Sequence, residues 1–294
     1  MNRQIGRSLT QSVQEYFRGI AGGLMFSLPL LYTMEMWWAG FTMHPLRLLI
    51  YILATFTLLL GYNRYCGIRS DASPVEVAID SVEEMGLGLL IAVFVLWLLG
   101  QITFDMALNE IVGKIIVEAM TVAIGVSVGT AQLGESEGDQ DDTGMDDAPQ
   151  SGSSVPFLTE NDSNFGGQIT IALCGAVLFA ANVAPTEEII MIATEIDSRR
   201  ILGFVFLSML LGALILFYSD FTGAGRFNKE GSIKTVILGT VVTYAIALVT
   251  SAAILWFFGR FDGIAPITCL AQTVVLGLAA TLGASAGRLL LQQQ

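Results

Sequence analysis

Ionisable side chains interrupt the apolar runs of this chain, and the densest group is Glu110-x-x-x-Lys114-x-x-x-Glu118. A spacing of four places all three side chains on one face of a helix, where Lys114 can pair with either acid. Glu118 is the most deeply placed of the acids. A carboxylate at that depth can bind a proton or a cation, with Lys114 as a built-in counter-ion. The alternative interpretation is a structural ion pair between helices.

A second group is the segment 182–188, which reads Asn182-Val-Ala-Pro185-Thr-Glu187-Glu188. Pro185 lacks a backbone N–H and frees a carbonyl one turn earlier, and two carboxylates follow at once. A broken helix with free carbonyls beside acids predicts a cation site. The pattern fits equally a helix that ends near residue 184, followed by a short interfacial helix whose acids complement its N-terminus.

Glu35 lies near the end of the first apolar run, just before Trp37 and Trp38. Tryptophans are enriched where a membrane meets water, so this acid is expected near an interface. It either forms an outer binding site together with Glu187 and Glu188 or simply reaches water.

Four more acids share one helix face because their spacing is three or four residues: Glu76, Asp80, Glu83 and Glu84. Like charges on one face repel each other in apolar surroundings. The face therefore either lines a vestibule that concentrates cations or is the solvated start of a helix.

Residues 125–129 and 283–287 both read Gly-x-Ser-x-Gly, which resembles the nucleophile elbow of serine hydrolases. Both copies lie inside apolar helices, no strand precedes them, and His44 is the single histidine. Glycines four residues apart let helices approach closely, which predicts that spans four and eight meet near a common axis. We assign this packing role to Gly125, Gly129, Gly283 and Gly287.

The composition indicates a membrane protein. The chain has 294 residues, of which 53% are hydrophobic and only 14% charged, and its mean hydropathy is +0.66. These values exclude an ordinary soluble enzyme, a disordered protein and a nucleic-acid binder. Three dispersed cysteines are neither a disulfide framework nor a thiolate metal site. We expect no enzyme and no cofactor, although a bound metal cation stays open.

Apolar runs of about 20 residues predict an all-α polytopic protein with eight transmembrane helices. The predicted spans are 19–38, 46–63, 83–102, 108–132, 168–186, 201–219, 233–258 and 266–290. Residues 1–18 are expected to form a cytoplasmic N-terminus with an amphipathic helix lying at the interface.

The two halves of the chain align with each other. At an offset of 153 residues Glu35 corresponds to Glu188 and Arg47 to Arg200, and at 159 and 158 residues the Leu-Trp-x-x-Gly and Gly-x-Ser-x-Gly segments recur. This predicts two tandem four-helix repeats, 19–133 and 166–294, related by an axis along the membrane normal. The stretch 134–165 between them holds nine of the 26 acids and no Lys or Arg, which predicts a disordered linker.

Positive charge predicts the orientation. With the N-terminus inside, nine Lys and Arg residues fall on the cytoplasmic side and four on the outer side. This favours cytoplasmic N- and C-termini. The compactness of the chain and the absence of targeting or glycosylation features lead us to expect a bacterial inner (plasma) membrane.

The eight-span layout, the acidic linker and the Pro-Thr-Glu-Glu segment 185–188 resemble an uncharacterised family of bacterial integral membrane proteins. The paired intramembrane acids are similar in style to those of cation/proton and calcium/cation exchangers. The Gly-Asn…Pro-Glu repeat of those exchangers is matched only once, by Asn182…Pro185-Thr-Glu187, and span one has no Asn. No functional residue is therefore transferred from them.

Together these patterns favour a cation channel or a cation/proton exchanger that uses intramembrane carboxylates. Its partners would be the lipid bilayer and an inorganic cation or proton, not nucleic acid, and homo-oligomers stay open. The alternative is a structural or regulatory membrane subunit whose acidic linker docks a basic partner. An intramembrane enzyme with carboxylate-only metal chemistry is disfavoured. The candidate binding residues are Glu35, Glu83, Glu84, Glu110, Lys114, Glu118, Asn182, Glu187 and Glu188.

Overall fold

A computed structural model describes residues 9–67, 73–103, 105–132, 160–223 and 233–291, and every element in these ranges is an α-helix. The first five helices are α1 Leu9–Leu31, α2 Met34–Thr42, α3 Pro45–Cys66, α4 Pro74–Leu98 and α5 Leu108–Gln132. The next five are α6 Glu160–Val183, α7 Glu187–Glu195, α8 Ser198–Gly223, α9 Ile233–Phe257 and α10 Pro266–Leu291.

Seven of the described helices are long and apolar enough to cross a bilayer: α3, α4, α5, α6, α8, α9 and α10. The first predicted span, 19–38, is divided, because α1 ends at Leu31 and α2 begins at Met34. Thr33 between them is extended and its hydroxyl donates to the Pro29 carbonyl at 2.7 Å, which stabilises the turn. The apolar part of α1 is the shorter segment Tyr16–Leu31.

Several predicted boundaries move. The expected separate N-terminal helix is continuous with α1, which begins at Leu9, and residues 1–8 lie outside the described residues. Helix α6 begins at Glu160, so residues 160–165 of the predicted linker are helical, while 133–159 lie outside the described residues.

Helix α4 begins at Pro74, before the predicted membrane span 83–102, so Glu76, Asp80, Glu83 and Glu84 all lie on this helix, and a capping box starts it. The Ser73 hydroxyl accepts from the Glu76 N–H at 3.4 Å, and the Glu76 carboxylate accepts from the Ser73 N–H at 2.7 Å. These two bonds satisfy donors that are otherwise free at a helix N-terminus. One of the four acids on the predicted stripe is thus a cap.

Two helices form the centres of the two halves. Helix α5 packs against α1, α2, α3 and α4, and α10 packs against α6, α7, α8 and α9. Helices α2 and α7 lie on the same side as the turns that follow α4 and α9, and we call this side the short-helix face. The opposite side, where α3 ends and α4 begins, is the terminal face.

Glycines allow the tightest of these contacts. A Cβ atom on Gly22 of α1 would fall against the backbone of Gly125 and Gly129 in α5. In the second half, Gly175 of α6 meets Gly283 of α10 in the same way, and the Cβ position of Gly287 lies 3.5 Å from the Cα of Gly175. The glycine pairs of α5 and α10 therefore face α1 and α6, not each other as the sequence suggested, because each pair contacts a glycine within its own half.

The two halves meet through α6, which packs against α3, α1 and α5. Asn182 of α6 donates its side-chain amide to the Phe26 carbonyl of α1 at 3.1 Å. Near the terminal face, Gly166 and Gly167 of α6 receive the ring of Tyr65 from α3.

We predict that Gly22→Ala lowers the stability of the protein, because the new methyl group meets backbone that cannot move aside. Overpacking of this kind costs about 1–3 kcal/mol. Thermal unfolding in detergent measures the change. Gly86→Ala in α4 is the matched control, because its Cβ would meet no described atom within 4 Å. An unchanged melting temperature in Gly22→Ala would contradict the close packing of α1 and α5.

Candidate functional site

Glu118 is a fully buried carboxylate in an apolar helix. It lies in α5 about 15 Å along the helix axis from Leu108, at about 1.5 Å per residue. Its relative exposure is 0%, and neither carboxylate oxygen has a hydrogen-bond partner among the described residues. An ionised carboxylate buried without a partner costs several kcal/mol, so the group needs a proton or a cation to neutralise it.

Hydroxyl groups surround this level of α5. Thr121, one turn from Glu118, shares a hydrogen bond of 2.8 Å with the Tyr51 hydroxyl of α3, and both side chains are buried. Gly23 of α1 faces Val122 of α5. Ser27 and Glu118 each lie four residues further along the two antiparallel helices, which places them at the same level, and the buried Ser27 hydroxyl has no partner among the described residues. These groups can pass or accept a proton.

Of the two acids within reach of Lys114 by spacing, the structure pairs it with Glu110. Its ammonium lies 2.9 Å from the Glu110 carboxylate and donates to the Gln101 carbonyl at 3.3 Å. It also lies 5.7 Å from the centre of the Phe41 ring. Lys114 is therefore held near the short-helix face, and Glu118 keeps no cation within the described residues.

These residues form a line along α5. Glu110, Lys114, Glu118 and Thr121 follow each other at spacings of four, four and three, so they occupy one side of the helix. We call them, together with Tyr51, the α5 polar file. Sequence spacing identified its first three members, and Thr121 continued the same spacing.

A second polar group, the Asn63 cluster, lies toward the terminal face and consists of Asn63, Ser81, Glu84 and Ser127. The Asn63 amide donates to the Glu84 carboxylate at 2.7 Å and to the Ser81 hydroxyl at 3.1 Å. The Ser127 hydroxyl donates to the Asn63 carbonyl oxygen at 3.3 Å. Three helices, α3, α4 and α5, thus position one carboxylate.

Sequence reasoning missed Asn63 and gave Ser127 no role beyond the glycine motif. Asn63 is an amide in an otherwise apolar helix, which is a usable signal. Its partners lie 18 and more residues away and on other helices, so spacing alone could not connect them.

The predicted acidic stripe of α4 divides around this cluster. Glu84 is half-buried and bonded to Asn63, whereas Glu83 beside it is exposed and Asp80 is half-buried. Successive residues of a helix point about 100° apart, which separates Glu83 from Glu84.

At the short-helix face, the acids of the two short helices lie near one arginine. Burial lowers the pKa of Arg260, while the charges of Glu187 and Glu35 raise it. The Arg260 guanidinium also donates to the Pro185 carbonyl. The carbonyl before α7 thus binds a fixed cation of the protein itself.

Glu188, in contrast, is exposed, and its own backbone N–H and the Thr186 hydroxyl lower its pKa. Pro185 lies in the turn between α6 and α7, and the acids lie in the first turn of α7. The segment 182–188 therefore adopts the second of its two predicted arrangements, a helix end followed by a short helix. Asn182 is turned toward α1, and its carbonyl oxygen is buried without a partner in the described chain.

Another arginine joins the halves nearby. Arg47 of α3 donates to the Asp262 carboxylate at 2.7 Å and lies 5.4 Å from the centre of the Trp256 ring. The guanidinium beside it lowers the pKa of Asp262. Among the described residues no three His, Cys, Asp or Glu side chains form a group that could hold a metal ion.

The model of the family described as "Putative integral membrane protein (DUF2391)" matches residues 15–291. The chain belongs to this family. The match extends over all ten described helices except the first residues of α1, and it agrees with the seven described helices that are long and apolar enough to cross a membrane. The resemblance to an integral membrane protein family of unknown function is thereby confirmed. No curated protein and no solved structure matches the chain.

We predict that Glu110→Gln is more destabilising than the double change Glu110→Gln with Lys114→Gln. The single change leaves the buried Lys114 ammonium without its carboxylate, which costs about 3–5 kcal/mol for a fully buried pair and less here because Glu110 is partly exposed. Thermal unfolding of the two variants measures the difference. Equal melting temperatures would show that the Lys114–Glu110 contact is not a coupled ion pair.

A pH dependence follows from Asp262. Its pKa lies below the ordinary value of 3.8 because of Arg47, so its contribution to stability is present above that value and is lost as the pH falls through the folded pKa. We predict that Asp262→Asn lowers the melting temperature at about pH 7 and that the difference from wild type shrinks below about pH 4. Asp197→Asn, at an exposed position, serves as control. A difference that stays constant across this range would contradict the Arg47–Asp262 coupling.

Proposed function

We propose that the protein moves a cation or protons across the membrane and that Glu118 is its central binding group. The observation that carries this proposal is a fully buried carboxylate, in an apolar helix, with both oxygens unpartnered among the described residues. Intramembrane carboxylates without a permanent counter-ion are typical of ion pathways and proton relays.

The proposed path follows the first half of the molecule. It begins at the terminal face with Asp80 and Glu83 and continues through Glu84 in the Asn63 cluster. Glu118, with the hydroxyls of Ser27, Tyr51 and Thr121, is the midpoint. The path leaves at the short-helix face beside the Lys114–Glu110 pair, where Glu35 and Glu187 form an acidic rim around Arg260.

Exchange of a cation for a proton needs only that both bind to the same carboxylate in turn. A cation entering the site neutralises the Glu118 carboxylate, and its departure is followed by protonation of the same group, because the bare charge is costly in low dielectric. A channel and an exchanger share the first step, in which the cation neutralises the Glu118 carboxylate. We place the N- and C-termini in the cytoplasm, from the charge bias of the loops.

We further infer that the chain is a tandem repeat of five helices. The order of one long, one short and three long helices occurs twice among the described residues. Adding 153 to the bounds of α2 gives those of α7, and adding 159 to those of α4 gives those of α9. Gly100 and Gly259, also 159 residues apart, adopt φ of 71° and 72°.

Under the proposed repeat, the charged side chains of α4 and α5 that lie along the path have uncharged equivalents in the second half. Under the same offsets, Glu118 corresponds to Leu276 and Lys114 to Gln272, and Glu84 corresponds to Thr243. The second half then has the scaffold without the carboxylates, which supports a path through α3, α4 and α5.

The test is flux into proteoliposomes that contain the purified protein. We predict pH-dependent uptake of a monovalent or divalent cation, or proton movement, that Glu118→Gln abolishes. Glu84→Gln should reduce it by about tenfold or more, because a hydrogen bond to a charged group contributes about 1.5–3 kcal/mol.

Glu195→Gln is the matched control, since it makes the same chemical change at an exposed position of α7. Its flux should equal that of the wild type. If Glu118→Gln and Glu84→Gln both transport at the wild-type rate while remaining folded, the proposed function is wrong.

A further inference from the structure

The two halves contact each other through different surfaces. Helix α3 of the first half packs against α6 of the second. Under the proposed repeat, α8 is the equivalent of α3 and α1 the equivalent of α6. The extensive contacts of α8 within the described residues are with α9 and α10 of its own half, and not with α1. The halves are thus arranged head to tail and not about a two-fold axis.

The internal contact consists of features that can be named. Arg47 reaches Asp262 and Trp256, and its guanidinium lies 2.9 Å from the Cβ position of Gly259. Deeper in the interface, the Cβ position of Gly61 lies 4.0 Å from the Cβ of Thr170.

The equivalent features exist on the two outer surfaces of the molecule. Arg200 on α8 corresponds to Arg47 and is exposed. Trp97 corresponds to Trp256 and is 57% exposed. Gly100, with the same left-handed backbone as Gly259, has no described atom within 4 Å of its Cβ position.

The charges on these two surfaces are complementary. The turn after α4 carries Asp105 five residues after Gly100, where the turn after α9 carries Asp262 three residues after Gly259, and Asp105 is exposed. The Thr103 hydroxyl lowers the pKa of Asp105, so the carboxylate is ionised at neutral pH. Arg200 at the opposite edge of the molecule supplies the positive partner.

We propose that α8 docks onto α1 and the α4–α5 turn of a second copy of this chain. Arg200 then lies beside Trp97 and Asp105 of that copy. Within one chain, Arg47 lies beside Trp256 and Asp262 in the same way. A head-to-tail contact of this kind is heterologous and closes into a ring of repeats. The proposal rests on the proposed repeat and not on transport, so the flux experiment does not test it.

The test uses engineered cysteines in a chain whose native cysteines are replaced by alanine. Gly61 and Thr170 correspond to Leu214 and Phe17, which are 43% and 67% exposed. A Cβ separation of 4.0 Å at the internal pair lies within the range of about 3.5–4.5 Å that disulfides need. We expect Phe17→Cys with Leu214→Cys to form a disulfide between copies in native membranes under mild oxidation.

The product is read on a denaturing gel before and after reduction. Gly61→Cys with Thr170→Cys is the internal control and should cross-link within one chain, without a change in mass. A covalent ladder that ends at a fixed number of copies supports the closed ring. Monomer only, in membranes where the internal pair cross-links, would overturn the proposal, as would an open ladder without an end.

A charge exchange tests the polar part of the same contact. Arg200→Asp should reduce the cross-linked fraction at least about tenfold, and adding Asp105→Arg should restore it, because opposite charges then face each other again. An unchanged cross-linked fraction in Arg200→Asp would overturn the assigned register.

Discussion

The cost of charge among apolar helices governs this molecule. Helix α5 places a lysine and a glutamate one turn apart in surroundings where neither can remain ionised alone. Lys114 is stabilised by its ion pair with Glu110 and its hydrogen bond to the Gln101 carbonyl. Glu118 has no such partner in the described chain, and under the proposed function an entering cation or proton would neutralise it. One helix thus holds both a permanent ion pair and a group suited to a transient one.

The close approach of α1 to α5 supports this arrangement. Because Gly22 and Gly129 bring two backbones together, little space remains at their crossing, and a few turns away Ser27 and Glu118 are enclosed. The contact between Gly175 and Gly283 builds a similarly close crossing in the second half, and under the proposed repeat Leu276 of α10 takes the position of Glu118. Close glycine crossings therefore form in both halves, although only the first of them lies near a buried carboxylate of the described chain.

The Asn63 cluster shows how a second carboxylate is accommodated differently. Glu84 accepts a hydrogen bond from a buried amide, and that amide is in turn held by Ser127. Such a network stabilises a polar group in place while leaving the carboxylate able to accept a proton. Three helices must be in register for it to form, which links the geometry of the site to the packing of the first half.

Much of the architecture was determined by sequence alone. Apolar runs long enough to span a bilayer and a helical spacing of three or four are local properties, so the membrane class, seven of the spans and the shared face of Glu110, Lys114 and Glu118 could be read from them. The division of the first span at Thr33 could not, because residues 19–38 are apolar on both sides of the turn.

The tertiary structure decided the pairings. Glu110 and Glu118 are both four residues from Lys114, and the structure pairs Lys114 with Glu110, on the side where the α4–α5 turn offers the Gln101 carbonyl. Asn63 and Glu84 belong to different helices, and Gly125 faces α1 rather than α10, because such contacts depend on how helices rotate and cross in space. Sequence therefore determined which side chains are present on each helix face, and packing decided which face each one meets.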